Sequence, residues 1–374
     1  DLYANFLLAA SKARDIDTDK LHWLSNTGAV RTATDALQYN LVDGLKYDGE
    51  VKDIMLKKLH QQNYENINFV SFGTYAKAVS FNKDFGNDKI AIIYASGDIV
   101  EGKGDDGDIG STEFINIIRD VKNDDDIKAV VFRVNSPGGS SLASDAIWYE
   151  ISETRKIKPV VVSMGDYAAS GGYYISCSAD SVFANEGTIT GSIGVFSILP
   201  NMQPFFNNKL GITFDGVKTA PYADMGSATR PLSETEKKFM QASVDSIYYT
   251  FKHRVSDGRK KDMAYIDSIA QGHVYTGNRG LALGLVDKIG TLQDAVDCAA
   301  RMANSFSYRT KEYPEKKTFW EQLIDRQSFS ANEKAKLIQE EIGADQYRIL
   351  QQAKKLQKLV KSPQAKLPFD FIFK

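Results

Sequence analysis

Cysteine is nearly absent: Cys177 and Cys298 are the two in 374 residues. Two thiols make no disulfide framework. They read as small buried hydrophobes and leave the compartment undecided. Long apolar runs are missing as well. No stretch reaches the roughly 18 residues that a membrane-spanning helix needs, and no secretory leader pattern is present. There is no surplus of one charge, since 46 Lys and Arg stand against 48 Asp and Glu. That balance gives no electrostatic footprint for nucleic acid. Histidine is scarce: His22, His60, His253 and His273 are the four. None follows a core strand in a glycine-rich turn, so a histidine-based triad has little to draw on. The Gly- and Asp-rich loop 102–110 lacks the EF-hand spacing. Asp124, Asp125 and Asp126 read as a solvated turn. No metal and no cofactor are expected.

What the chain does have is an internal echo. Val30-Arg31-Thr32 and Leu41-Val42-Asp43 recur as Val274-Tyr275-Thr276 and Leu285-Val286-Asp287, both at an offset of 244. Helical patterns flank both copies, and repeats carry their element order with them. Residues 1–60 therefore read as the tail of a first copy, 61–87 as a connector, 88–310 as a complete second copy and 311–374 as a helical extension. The chain opens at Asp1 inside an amphipathic pattern, which reads as part of a longer protein. From Lys89 onward strand and helix alternate: strands 89–95, 127–134, 159–164 and 181–184, with helices 111–122 and 141–155 and a short helix from Ser170. Such alternation predicts an α/β fold with a mainly parallel sheet. Ser111 or Thr112 is the expected cap of the first helix. A Lys-, Gln- and Glu-rich helix is expected over 331–360.

Two turns carry the chemistry. The first is Asn135-Ser136-Pro137-Gly138-Gly139-Ser140, where proline fixes φ and paired glycines free backbone N–H groups to face a ligand. The second is Ala168-Ala169-Ser170-Gly171-Gly172, a hydroxyl among the smallest side chains at the start of a helix, where the dipole favours negative charge. Both follow successive parallel strands and should meet at one sheet edge. Ser170 is thus the candidate nucleophile, with the amides of Gly138 and Gly171 as its oxyanion donors. A nucleophilic serine needs a base. Without a placed histidine, a Ser/Lys pair is the expectation.

These runs, with Thr190-Gly191-Ser192-Ile193-Gly194-Val195 and Gln271-Gly272-His273-Val274-Tyr275-Thr276-Gly277, resemble the signal peptide peptidase A family, also called protease IV, in its long duplicated type. The resemblance spans most of residues 1–310. It implies a crotonase-like (Clp/crotonase) fold. It also implies a membrane-anchored peptidase on the extracytoplasmic, periplasmic side, degrading released signal peptides through an acyl-enzyme. A homo-oligomeric ring, a tetramer by resemblance, and a membrane anchor upstream of this chain are implied too. By the same resemblance Ser192 orients the lysine amine. The lysine itself is the point of departure. Short members place it downstream of the serine, where Ala223 stands here. Long members carry it in the first copy, at a position just upstream of Asp1. Lys218 is a weak substitute, and Lys77 sits in the connector. Two other readings remain open: an acyl-CoA hydratase or hydrolase on the same fold, with Asp166 as the carboxylate near Ser170, and a non-catalytic scaffold.

Overall fold

The computed structural model describes residues 1–71, 73–75, 88–315, 343, 346 and 363–367. Lys77 lies outside the described residues, as does the helix expected over 331–360 except at two positions: Gln346 is helical, whereas Gly343 has φ 86° and is not, so the expected run is not continuous through Gly343. The chain divides into two compact units, Asp1–Lys83 and Asp84–Lys374.

The first unit is helical: α1 (Leu2–Arg14), α2 (Thr18–Thr27), α3 (Ala33–Gln38) and α4 (Asp48–Leu59). Asp17 caps α2 by accepting from the Asp19 N–H, and Gly28 ends it at φ 57°. Its buried core is small: Ile16, Leu21 and Leu24.

The second unit is built on parallel strands. These are β1 (Asp88–Ser96), β4 (Ile127–Ser136), β6 (Val160–Ala169), β7 (Ser181–Ala184), β10 (Lys288–Ile289) and β11 (Tyr308–Tyr313), in the order β10-β7-β6-β4-β1-β11. A branch, β8 (Ile189–Gly191), pairs with the end of β6, and β9 (Val274–Thr276) runs antiparallel to β8. The central strands read as near-continuous apolar runs because both faces are covered. Ala91, Ile93, Val130 and Phe132 face α5 (Ser111–Asn123), α6 (Ser141–Arg155), α7 (Gly171–Tyr174) and α8 (Glu234–Arg259). Ile90, Ile92, Ala129 and Val131 face the other way, onto Ala295, Val296 and Ala299 of α11 (Leu292–Met302). Between α8 and α11 come α9 (Met263–Ile269) and α10 (Gly277–Ala282). This is the α/β, crotonase-like architecture expected.

A smaller sheet has the order β12-β5-β2-β3, from β2 (Ile99–Val100), β3 (Ile109–Gly110), β5 (Gly138–Ser140) and β12 (Gln364–Lys366). Three local readings differ from expectation. Gly138–Ser140 is a strand rather than a plain turn, because edges on both sides offer ladder partners. Strand β6 runs on to Ala169 instead of ending at Met164, because Tyr167–Ala169 finds β8 after a register shift. The cap of α5 is Gly110, without a side-chain bond; Ser111 Oγ instead accepts the Gly102 N–H at 3.1 Å.

The helices α1–α4 of the first unit match α8–α11 of the second in order and, near an offset of 244, in sequence position. α3 and α10 are six residues each, Ala33–Gln38 and Gly277–Ala282, and lie 244 positions apart. Thr32 and Thr276 each cap the following helix with the hydroxyl. Arg14 donates to Asn40 O and pairs with Asp43; Arg259, 245 positions later, donates to Gly284 O and pairs with Asp287, partners that keep the offset of 244.

Candidate active site

Ser170 is the hinge between β6 and α7. Its N–H donates to Gly191 O at 2.8 Å, so β8 fixes the strand end, and its C=O accepts the Tyr174 N–H at 2.8 Å, which starts the helix. Turning from strand to helix within one residue puts Ser170 at φ 53° and ψ −115°. For a residue with a Cβ such geometry costs about 1–3 kcal/mol, and it persists only where the surroundings over-determine it. The small neighbours follow from packing. A Cβ on Gly172 would lie 2.5 Å from Ser136 O, and one on Gly171 would lie 2.6 Å from Ser144 Oγ. The helix is pinned from below by its tyrosines. Tyr173 Oη donates to Leu285 O at 3.0 Å, and Tyr174 Oη donates to Asp145 Oδ1 at 2.7 Å. Tyr174 also stacks on Phe251 of α8, with centroids 4.5 Å apart. Burial raises both phenols, so they stay neutral donors.

The other turn is fixed by its own polar side chains. Asn135 Oδ1 accepts the N–H groups of Asp166 and Tyr167 at 3.0 and 3.1 Å, tying β4 to β6 across the register shift. Ser136 Oγ donates to Gly97 O at 2.6 Å and accepts the Gly138 N–H at 3.1 Å. Gly138 has φ 102°, and a Cβ there would lie 2.7 Å from Gly171 N. The two glycine turns therefore abut, as their positions after successive parallel strands require.

The notch between them holds a carbonyl. Ala365 O lies 2.1 Å from where a Gly138 Cβ would be and 2.9 Å from where a Gly171 Cβ would be. β12 pairs antiparallel to β5, with Ala365 opposite Gly139, and Leu367 N–H donates to Pro137 O at 2.9 Å. Antiparallel ladders alternate bonded and non-bonded pairs. The bond at Leu367 thus makes Gly139–Ala365 the next bonded pair, with the Gly139 N–H toward Ala365 O. Gly138 N–H has Ser136 Oγ as its partner, and the Gly139 N–H is a further amide at the notch that the sequence did not single out. The paired glycines were the available signal. Which of the two amides faces outward depends on the ladder, which the sequence does not display.

The remaining candidates are dispersed. Ser192 is buried at φ 48°, directly after Gly191, and its N–H donates to His273 O at 2.7 Å. β9 pairing on β8 brings the His273 backbone beside Ser192, although no core strand leads into that histidine in the sequence. Ser170 Oγ donates to Gly194 O at 3.3 Å. Lys218 pairs with Asp224 at 2.8 Å, and Arg230 bridges Asp224 to Glu236. Lys218 is thus held in a surface ion cluster, and Ala223 is exposed. Asp166 is also exposed. Cys177 is fully buried, which pushes its thiol up to about 12 and leaves it inert. Among the described residues no group of His, Cys, Asp and Glu is arranged to hold a metal.

Residues 152–305 match the family described as peptidase family S49. The chain is 37% identical to Protease 4 of Salmonella typhi over 334 residues, which are 87% of this chain and 53% of that protein. It is 32% identical to the chloroplastic serine protease SPPA of Arabidopsis thaliana over 311 residues, 81% of this chain and 46% of that one. It is 35% identical to a putative protease of Methanocaldococcus jannaschii over 235 residues, 61% of this chain and 75% of that one. The chain spans about half the length of the Salmonella and Arabidopsis relatives.

Proposed function

Because the chain belongs to peptidase family S49, we propose that it is the serine-bearing part of a serine peptidase, with Ser170 as nucleophile. The observation that carries this reading is the glycine notch beside Ser170, occupied by a peptide carbonyl. A carbonyl seated there faces the Gly139 amide across the ladder and lies close against Gly171, with Gly138 keeping the floor open. One such donor is worth about 3–4 kcal/mol to a tetrahedral intermediate. In the proposed reaction Ser170 Oγ bonds the carbonyl carbon while its proton passes to a lysine amine. The amine leaving group takes that proton as the C–N bond breaks, and water then releases the acyl group. A buried amine lowered toward about 7–8 is suited to both transfers.

We place that lysine upstream of Asp1, in the first of two tandem copies, with Ser192 orienting it. The matching bonds of Arg14 and Arg259 support the duplication, as does the shared register of α3 and α10. Lys218 is already committed to Asp224. The proposed substrates are apolar peptides such as released signal peptides, the proposed location is the outer face of a cell membrane, and the proposed assembly is a homo-oligomeric ring. Among the described residues no helix is long and apolar enough to cross a membrane. The acyl-CoA and scaffold readings gain nothing from Asp166, which is exposed, or from the notch, which fits a peptide strand.

The test is Ser170→Ala in the parent protein, assayed on an apolar peptide. Loss of hydrolysis by on the order of 10⁴-fold or more, with the fold intact, is the expected result. Unchanged hydrolysis would remove Ser170 from the reaction.

A further inference from the structure

The segment that fills the notch belongs to this chain. Residues 363–367, Pro-Gln-Ala-Lys-Leu, lie between two backbones and are bonded to both. On one side β12 pairs with β5 through Gln364↔Ser140, Ala365↔Gly139 and Lys366↔Gly138. On the other side Gln364 exchanges two hydrogen bonds with Phe196, at 2.7 and 3.0 Å. The ends are fixed as well: Ser141 N–H and Oγ donate to Pro363 O at 3.2 and 2.9 Å, and Leu367 N–H donates to Pro137 O at 2.9 Å.

The side chains fit as selectively as the backbone. Ala365 is 0% exposed and its methyl is enclosed in the main core cluster, so a large side chain there would have to displace packed neighbours. Leu367 packs against Ala169 and Ile189. Lys366 is nearly buried and its Nζ meets Asp98 Oδ2 at 2.5 Å. An extended strand added to a sheet edge, with its carbonyl among the notch amides, is how a peptide ligand binds by β-augmentation.

From this we infer that residues 363–367 are a resident ligand of the cleft, a peptide strap that an incoming peptide must displace. The inference rests on the reading of the notch as a peptide site and adds what regulates access to it. The tail is tethered, so its local concentration is high, and a free peptide competes at a disadvantage. The strap also states what the cleft accepts: a small residue where Ala365 is enclosed in the core cluster, and a branched aliphatic one two positions later, against Ala169 and Ile189.

The experiment measures binding rather than turnover. A fluorescein-labelled copy of residues 362–368 is titrated into the full chain, into a chain ending at Ser362, and into full-chain Ala365→Trp, whose tail has no room to seat. Anisotropy reads the affinity. The shortened chain and Ala365→Trp should both bind at least tenfold more tightly than the full chain. A peptide carrying tryptophan at the alanine position should bind none of them. Should the shortened chain fail to fold, Ala365→Trp carries the comparison. Equal affinity of full chain and folded variants, or no binding by either folded variant, overturns the strap. Since no bond is broken, a chain that binds as expected while its parent hydrolyses nothing would sink the peptidase reading and leave the strap standing.

Discussion

At the level of single residues, the site is a set of exclusions more than a set of attractions. Gly138, Gly139, Gly171 and Gly172 all lie where an added Cβ would come within 3 Å of a neighbouring heavy atom. The small residues around Ser170 were legible in the sequence, and so was the serine. The outward amide of Gly139 was not, because it follows from a ladder with residues more than 200 positions away. Gly171→Ala is a direct check. Its methyl would stand 2.9 Å from Ala365 O and 2.6 Å from Ser144 Oγ. It should expel the strap and cut hydrolysis by the parent protein roughly 100-fold or more, the scale of one lost oxyanion donor. Hydrogen exchange of β12 against β4 separates the two effects: β12 amides should exchange freely while β4 stays protected.

Elements hold the serine through α7, and α7 is held by α8. Phe251 is fully buried and stacks on Tyr174. Phe251→Ala should cost about 3–5 kcal/mol in stability, read from denaturant unfolding of the second unit. The start of α8 is an ion cluster with a definite pH response. The bidentate bond from Arg230, then the Ser233 N–H, hold the Glu236 carboxyl down at about 2. Arg230 and Lys218 likewise hold Asp224 below the usual carboxylate range. Acids depressed in the folded state stabilise it above their unfolded values, and the benefit fades as pH falls through the folded ones. Amides over 224–240 should therefore stay protected at pH 5 and lose protection between about pH 4.5 and 2, a window that hydrogen exchange can follow. The alternating strands and helices of this unit were readable because apolar residues cover both faces of β1 and β4. The tail of β6 was not, since Gly165–Ala169 carries no strand-like run and is extended only because β8 pairs with it.

Over the whole molecule, the two units differ in what they can bury. The second has a parallel sheet with helices on both faces. The first has α1–α4, whose counterparts α8–α11 belong to the unit built on that sheet. Val51 and Ile54 are exposed, whereas Ala295 and Cys298, 244 positions later, are buried against strands. Residues 84–374 expressed alone should therefore unfold cooperatively. Residues 1–83 alone, whose described residues bury only Ile16, Leu21 and Leu24 among apolar side chains, should show weak helicity by circular dichroism and no sharp transition. A cooperative transition in the short piece would contradict this. The sequence by itself determined the α/β alternation, the echo at 244 and the serine among glycines, because each is written in local pattern and spacing. The tertiary structure decided that the glycine turn is a strand, which amide faces the notch, and that residues 363–367 lie across Ser170's cleft. Those depend on pairings between distant segments, and a ladder partner has no signature in the residues that await it.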